Sequence, residues 1–482
     1  MLPRALVAAL ILLGSPVLAA GPVTIHTMLL GNEAICLRDT VQLTRAEDGE
    51  VISAAISPDG KTVAFLAGNA DKAGLCLGKT LGGRPAAVLT SGQVWHLRST
   101  EIAWSPDGKL FALTADKLST QNGKPAELEH VLILDSAGKE KAAFPIPEGF
   151  RSSLTPLFSP DSRGIAIAVG SLKEPVVNIL VFDLDKSSTR VYKTVTYTDL
   201  ARWTEDGTKL DYSSLAAAPN GESQFNIREL DLADESDKVV GKPAPRRPSL
   251  SPDGKWRAMP SEDGLIVEDQ QTAAGKTLVK ASWPGVLGWA PNGKLIAYLL
   301  PDSVSDQYKQ RTRDLRQLWL AGVETHKLNT MLLALDVAPE MKPSWSADSS
   351  KVAYVSWGRL MLAELSRRRA RPEEKLTAGL PLAEEDEKAL IETNARAISG
   401  AFGQFLLDQS RLPSSLDEIY SYLGKEPFLR PGAQEVIFTY AATPGAAINM
   451  VGNDTVIGEL DAGFKWKVVV YLGERVEVVD KE

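Results

Sequence analysis

One short phrase recurs seven times between Ile56 and Ser349: a bulky apolar residue, a tight turn of the Ser-Pro-Asp-Gly type, and an apolar strand that contains alanine. The seven turns are Ser57-Pro58-Asp59-Gly60, Ser105-Pro106-Asp107-Gly108, Ser159-Pro160-Asp161-Ser162, Thr204-Glu205-Asp206-Gly207, Ser251-Pro252-Asp253-Gly254, Ala290-Pro291-Asn292-Gly293 and Ser346-Ala347-Asp348-Ser349. Successive copies begin 39 to 56 residues apart, about 48 on average, a period typical of propeller blades rather than helical solenoids. The repeat therefore predicts a β-propeller of about seven blades.

Two columns of residues accompany the turns. The residue before each turn is bulky and apolar: Ile56, Trp104, Phe158, Trp203, Leu250, Trp289 and Trp345. Four residues after each turn come Ala64, Ala112, Ala166, Asp211, Ala258, Ala297 and Ala353. Pro, Asp and Gly are the residues that tight hairpin turns require. The columns predict a crowded strand at each small residue, with the bulky residue filling the space between stacked sheets.

These repeats resemble the WD40-like, PD40-type repeats of TolB-like β-propellers over residues 40 to 378. The resemblance implies a mainly β fold, with the propeller domain at residues 21–378. Six or eight blades are alternatives to seven, because strands at residues 33–44 precede the first full repeat. These strands can close the ring by pairing with the last blade, which removes an exposed sheet edge. Propellers of this kind occur in enzymes and in binding proteins, so the resemblance implies fold and not function.

The N-terminus has the pattern of an export signal. Arg4 is followed by an apolar run from Ala5 to Leu13 and by small residues up to Ala20. We expect a cleaved signal peptide at residues 1–20, a periplasmic or secreted protein, and no transmembrane span in the mature chain. The net charge of -8 argues against a nucleic-acid partner.

A second domain follows a change in composition. A basic run ending at Pro372 precedes the acidic residues 384–387, and we expect a charged linker at residues 366–383. Ile391, Ala395, Ile398, Phe402 and Phe405 then recur at helical spacing, which predicts an amphipathic helix of about 25 residues that ends near Gln409. A second helix is expected after Ser415, with Glu418 completing a capping box. Strands are expected at residues 436–440, 466–471 and 475–479.

This order of a long helix, a Leu-Pro-Ser-Ser-Leu helix start and a terminal antiparallel sheet resembles the globular domain of type II secretion pseudopilins and pilin-like proteins. The resemblance covers residues 384–482 and implies a small α+β domain. The membrane-spanning half of the family's helix has no counterpart here, so the resemblance does not imply filament assembly.

Candidate chemistry is sparse in the sequence. No Gly-x-Ser-x-Gly elbow occurs, and the four histidines, His26, His96, His130 and His326, show no metal-ligand spacing. We therefore expect no catalytic residues, no metal and no cofactor. Asp211 breaks the alanine column, so either the fourth blade is locally irregular or Asp211 marks a polar site near the channel. The polar insertion after Leu300 is a candidate recognition loop. The candidate binding residues are Asp211, Asp302, Asp306, Tyr308 and Arg311.

The sequence predicts an exported, noncatalytic propeller protein that mediates protein–protein interaction or scaffolding at the cell envelope. The alternative is an envelope hydrolase or lyase that acts on peptide or glycan at the propeller channel. The sequence does not identify the partner, the propeller face that binds it or the oligomeric state.

Overall fold

The computed structural model describes residues 26–481, apart from 69–73, 91–93, 98–100, 122–123, 153–154, 175, 195–197, 218–222, 245–247, 273, 282–283, 302–315, 325–328 and 338–341. The chain divides into two compact units. One comprises Ile25–Thr325 and Asn329–Arg368, and the other includes Arg369–Glu482. The two units adjoin in sequence at Arg369.

The first unit is built from antiparallel sheets that follow one another along the chain. Two strands come first: β1 (Thr27–Leu30) and β2 (Glu33–Gln42). Blade 1 holds β3 (Val51–Ile56), β4 (Thr62–Ala67), β5 (Gly74–Lys79) and β6 (Ala86–Thr90). Blade 2 holds β7 (Trp95–Leu97), β8 (Ala103–Trp104), β9 (Leu110–Gln121), β10 (Lys124–Asp135) and β11 (Glu140–Pro145). Blade 3 holds β12 (Phe150–Ser152), β13 (Leu157–Phe158), β14 (Gly164–Ser171), β15 (Val177–Asp183) and β16 (Ser188–Lys193).

The remaining blades repeat this order. Blade 4 holds β17 (Thr198–Trp203), β18 (Lys209–Ala217), β19 (Ser223–Asp231) and β20 (Asp237–Ala244). Blade 5 holds β21 (Ser249–Leu250), β22 (Trp256–Pro260), β23 (Leu265–Asp269) and β24 (Gly275–Val279). Blade 6 holds β25 (Gly285–Trp289), β26 (Leu295–Pro301), β27 (Arg316–Gly322) and β28 (Thr330–Val337). Blade 7 adds β29 (Ser344–Trp345), β30 (Lys351–Ser356) and β31 (Arg359–Arg369).

Blade 7 is completed by the two N-terminal strands. The strand order β1-β2-β31-β30 places β2 beside β31, so one blade combines both ends of the propeller sequence. The expected pairing of residues 33–44 with the last blade is confirmed, and the described residues form seven blades. A single bridge between Val337 and Ser356 links blade 7 to blade 6. The closure covers the outer edge of β31, which β2 pairs with along the sheet.

Each turn of the repeat is held by its own side chains. In blade 1, Ser57 Oγ donates to Asp59 Oδ1 at 2.6 Å, and the backbone N–H groups of Lys61 and Thr62 donate to Asp59 Oδ1 and Ser57 Oγ. Gly60 takes the left-handed conformation, with φ 68°. The same Ser or Thr to Asp bond recurs at Asp107, Asp161, Asp206, Asp253 and Asp348. The repeated aspartates therefore form the turns, as the sequence predicts.

The two columns pack blade against blade. Each alanine of the small column is essentially inaccessible, and the bulky residue of the next blade lies in the same apolar cluster. Three indoles also donate across the blade boundary at 2.9 Å: Trp104 Nε1 to Ala55 O, Trp203 Nε1 to Leu157 O, and Trp289 Nε1 to Ser249 O. The predicted placement of the aromatic residues between blades is confirmed.

The second unit is a small α+β domain. Its helices are α1 (Pro372–Ala378), α2 (Glu384–Gln409) and α3 (Leu416–Leu423). Its sheet has the order β32 (Phe438–Tyr440), β33 (Val456–Leu460), β34 (Trp466–Tyr471) and β35 (Val476–Asp480). The predicted apolar stripe of α2 is buried in the core of this unit. No helix in the described part of the chain is long and apolar enough to cross a membrane.

Some details of the second unit differ from the sequence prediction. Residues 366–383, where we expected a charged linker, hold the end of β31 and the short helix α1. Ser415 occupies the N-cap position of α3, but its side chain makes no capping bond. Glu418 instead binds Arg411 Nη1 at 3.0 Å and the Ser414 N–H at 3.1 Å. The nearby arginine competes for this carboxylate, because a charged donor binds it more strongly than a backbone amide.

Candidate functional site

The propeller has two rims, which the direction of its strands defines. The turn rim carries the seven repeat turns, and the distal rim lies at the opposite ends of the same strands. Residues on the distal rim precede the first strand of a blade or connect its second and third strands. Loops at such strand ends are where rigid scaffolds most often carry binding residues.

In the described part of the chain, four large apolar side chains of the distal rim are 44% or more exposed to solvent. Val94 precedes β7, Leu172 follows β14, Leu335 lies near the end of β28, and Trp357 follows β30. Their exposed fractions are 52%, 67%, 49% and 44%, respectively. They share one rim and belong to blades 2, 3, 6 and 7, and contiguous exposed apolar patches are what mark contact surfaces.

Trp357 has an unusual backbone conformation. It begins the two-residue turn between β30 and β31, and its φ is 52°, in the left-handed region that a bulky side chain rarely adopts. Gly358 follows with φ 68°. A type I′ hairpin favours Asn-Gly or Gly-Gly at these positions. The structure therefore holds a large aromatic side chain on the rim in a turn that costs backbone strain.

A charged cluster lies on the same rim between blades 2 and 3. His96, Asp116 and Glu129 are paired across β7, β9 and β10 and therefore point to one face of blade 2. From blade 3, Arg151 Nη1 donates to Asp116 Oδ1 at 2.8 Å. Ser152 donates to Glu129 from its backbone N–H at 3.0 Å and from its hydroxyl.

The charged cluster continues an apolar layer. Thr114 and Val131 are the next residues on the same face, and Val131 packs against Ile167 and Phe158 of blade 3. Asp116 is fully inaccessible, and Glu129 is buried. Buried carboxylates persist only where donors bind them, and Arg151 and Ser152 supply these donors. The cluster thus ties two blades together and places charged groups at the distal rim.

Asp211 lies at a different place, near the turn rim. It is buried, and it pairs with Arg202 on the neighbouring first strand, with Arg202 Nε 2.8 Å from Asp211 Oδ2. Burial raises the pKa of the Asp211 carboxyl, and Arg202 opposes this rise. Arg202 Nη1 also donates to Pro252 O in the turn of blade 5 at 3.2 Å. This strand pair has a register shift between Leu200 and Arg202, and similar shifts occur in the first strands of blades 1 and 6.

The other candidate binding residues, Asp302, Asp306, Tyr308 and Arg311, lie outside the described residues. The strands on either side end at Pro301 and begin at Arg316, which are paired at the distal rim. The sequence analysis did not identify Asp116, Glu129, Arg151 or Trp357. A carboxylate in the apolar strand of Phe111 to Ala115 was the available signal for Asp116.

No protein-family model matches the chain, and no curated protein matches its sequence. Solved structures with a similar fold include β-propellers. The propeller domain of the trilobed protease from Pyrococcus furiosus has a TM-score of 0.45 and 14% identity, covering 68% of this chain and 96% of that one. The putative TolB from Agrobacterium tumefaciens has a TM-score of 0.36 and 15% identity, covering 60% and 95%.

Oligogalacturonate lyase from Vibrio parahaemolyticus has a TM-score of 0.35 and 12% identity, covering 68% of this chain and 98% of that one. The similar structures thus include the propeller of a protease, a lyase and a putative TolB. Function has to be argued from the site, because a fold alone does not imply it.

Proposed function

We propose that the protein is an exported, noncatalytic propeller protein that mediates protein–protein interaction or scaffolding at the cell envelope. The observation that carries the proposal is the exposure of Val94, Leu172, Leu335 and Trp357 on one rim. Protein interfaces are enriched in aromatic and apolar residues surrounded by polar groups, and the charged cluster between blades 2 and 3 lies on the same rim.

Trp357 is the expected anchor of the interface. Tryptophan is among the residues that contribute most to binding energy when they are buried against a partner. Its left-handed backbone conformation is a local strain, and such strain is common at functional sites. A partner that covers the indole would remove from water the apolar surface that the rim now exposes.

The setting of this interaction is part of the proposal. The apolar run after Arg4 supports export to the periplasm or the exterior. The charge of -8 favours a protein partner over a nucleic acid. The second unit, which resembles a pilin-like domain in its order of elements, would serve as a docking piece for a secretion or pilus system.

The proposal can be tested by affinity capture from envelope extract with matched surface variants. Trp357→Gly removes the indole and relieves the left-handed strain, and Leu172→Ser removes a second apolar side chain. Leu81→Ser is the matched control, because Leu81 is 92% exposed but follows β5 at the turn rim. We expect Trp357→Gly and Leu172→Ser to weaken capture of the same partner at least about tenfold, as for interface anchors.

Two results would contradict the proposal. The first is a partner that all three variants retain, or that only Leu81→Ser loses. The second is turnover of envelope peptides or glycans by the purified protein, detected as new cleavage products by mass spectrometry, which would favour the hydrolase or lyase alternative.

A further inference from the structure

Three side chains with metal-binding atoms converge at the distal rim of blade 2. A ring nitrogen of His96 and carboxylate oxygens of Asp116 and Glu127 all lie within 4.8 Å of one another. The strand pairing explains their proximity. Asp116 is paired with His96 on β7 and with Glu129 on β10. Glu127 lies two residues before Glu129 on the same strand. Residues two apart on a strand point to the same face, so all three side chains project toward blade 3.

Blade 3 contributes an independent sign of an unfilled polar site. Asn178 is 8% exposed, and its Oδ1 atom has no hydrogen-bond partner among the described residues. Asn178 shares a row with Val169 and Ser152, and Ser152 binds Glu129 of blade 2. The row places Asn178 two strands outward from Ser152, on the face of blade 3 that packs against blade 2. Buried polar atoms without partners are rare in native proteins, and each calls for a ligand or an ordered water.

The local charge also favours a cation. Asp116, Glu127 and Glu129 bring three carboxylates to this layer, while Arg151 is the cation that binds Asp116 there. Arg151 contacts Oδ1 of Asp116 and so fixes the orientation of that carboxylate. A bound divalent ion would offset the excess negative charge.

We infer that His96, Asp116 and Glu127 form a divalent-cation site, independent of the proposed partner binding, and that the fitting ion is Zn²⁺. Imidazole nitrogen and carboxylate oxygen are both zinc ligands, and a site with three protein ligands leaves a fourth position to water. Calcium fits poorly, because it takes six to eight oxygen ligands and three protein ligands supply too few.

The side chains need only a small adjustment to bind zinc. His96 Nδ1 and Glu127 Oε1 are 3.9 Å apart. Ligand atoms around a tetrahedral zinc lie about 3.4 Å apart, so this pair has to close by about 0.5 Å, and a pair at the 4.8 Å limit by about 1.4 Å. His96 and Glu127 have room for it, since their side chains are 30% and 37% exposed. Asp116 is the fixed ligand of the three.

The test uses the full mature chain, freed of metal with a chelator and titrated with Zn²⁺ by calorimetry. Co²⁺ is titrated in parallel, because its visible absorption reports tetrahedral coordination. We expect one Zn²⁺ per chain. His96→Ala and Glu127→Gln should each weaken binding at least about tenfold. The matched controls are His26→Ala and Glu262→Gln, which change the same residue types elsewhere on the propeller and should retain wild-type affinity.

Circular dichroism checks that each variant is folded. If His96→Ala does not fold, the exposed Glu127→Gln carries the test. The inference is overturned if the wild-type chain binds no stoichiometric Zn²⁺, if neither ligand variant weakens binding, or if an excess of Ca²⁺ displaces the bound zinc. Since each measurement is made without a partner, its failure leaves the proposed protein-binding rim untouched.

Discussion

The Arg202–Asp211 pair offers the sharpest test of how the blades pack. In the other blades the corresponding pairs are uncharged and, apart from Leu157 with Ala166, small, such as Ala55 with Ala64 and Ser249 with Ala258. Arg202 and Asp211 occupy this position in blade 4, where the next blade presents Leu250 rather than an aromatic residue. We infer that the ion pair fills space that an indole fills at four of the other blade boundaries.

Removing one partner should be costly. Asp211→Ala would leave the Arg202 guanidinium, 21% exposed, facing the turn of blade 5 without its carboxylate. Breaking a buried ion pair typically costs 3 to 5 kcal/mol, and the partial exposure of Arg202 lowers the expectation to about 2 to 3 kcal/mol. Arg202→Ala should cost a similar amount, because Asp211 would then be a buried carboxyl without a cation.

The double variant should be less destabilised than the sum of the single variants. With both charges removed, only a cavity beside Leu250 remains, and we expect a coupling of about 2 kcal/mol. Adding Leu250→Trp to the double variant restores the pattern of the other blades and should recover part of the loss by filling that cavity.

Urea denaturation followed by tryptophan fluorescence measures these differences, with the free energy of unfolding taken from the linear extrapolation. The reasoning is wrong if the two single substitutions add without coupling. It is also wrong if Leu250→Trp destabilises the double variant further, since that result would mean that the space beside Leu250 is already filled.

Four further predictions follow from individual contacts and from the chain start. Trp289→Ala should lower the free energy of unfolding by about 3 to 5 kcal/mol, because it leaves a cavity. Trp289→Phe should lower it by about 1 kcal/mol, because it removes the hydrogen bond to Ser249 O. Equal losses for the two variants in urea melts would contradict this packing. Hydrogen bonding from Lys375 lowers the pKa of the Asp386 carboxyl from 3.8. The stability that this pair contributes is therefore present above pH 3.8 and is lost as the pH falls below it. Asp386→Asn should remove this pH dependence from the free energy of unfolding measured in an acid titration. A fragment of residues 369–482 should be folded, soluble and more heat-resistant than residues 380–482, which lack Lys375; equal melting temperatures would show that α1 adds nothing. Intact mass of the mature protein should place its start near Ala20 or Gly21, and a retained Met1 would rule out cleavage.

The propeller could be predicted because its determinants are local. Each turn is specified within four residues, and the bonds from Ser57 and Asp59 to the following backbone show why those residue types are needed. The bulky and small columns are also visible in the sequence, since each lies at a fixed distance from its turn. Predicting the ring closure required one further inference. The strands at residues 33–44 have no repeat of their own, so they must pair with the last blade.

The candidate sites were harder to predict because their residues meet across blades. Asp116 and Arg151 are 35 residues apart, and only the stacking of blade 2 on blade 3 brings them together. The exposure of Trp357 depends on a left-handed turn that a Trp-Gly sequence does not indicate. The predicted capping box at Glu418 was wrong for a similar reason. The capping-box pattern does not include Arg411, which binds the Glu418 carboxylate instead.

Asp211 lies between these two cases. The break in the alanine column identified the position of Asp211. That column lies on the second strand of each blade, whereas the partner Arg202 lies on the first. The residue directly before the bulky residue forms a second column opposite the first: Ala55, Ala103, Leu157, Arg202, Ser249, Gly288 and Ser344. Arg202 is the charged residue of this second column, and it pairs directly with Asp211, the charged residue of the alanine column. Reading both columns together would have predicted the ion pair, because opposite charges at directly paired positions stabilise a strand pair.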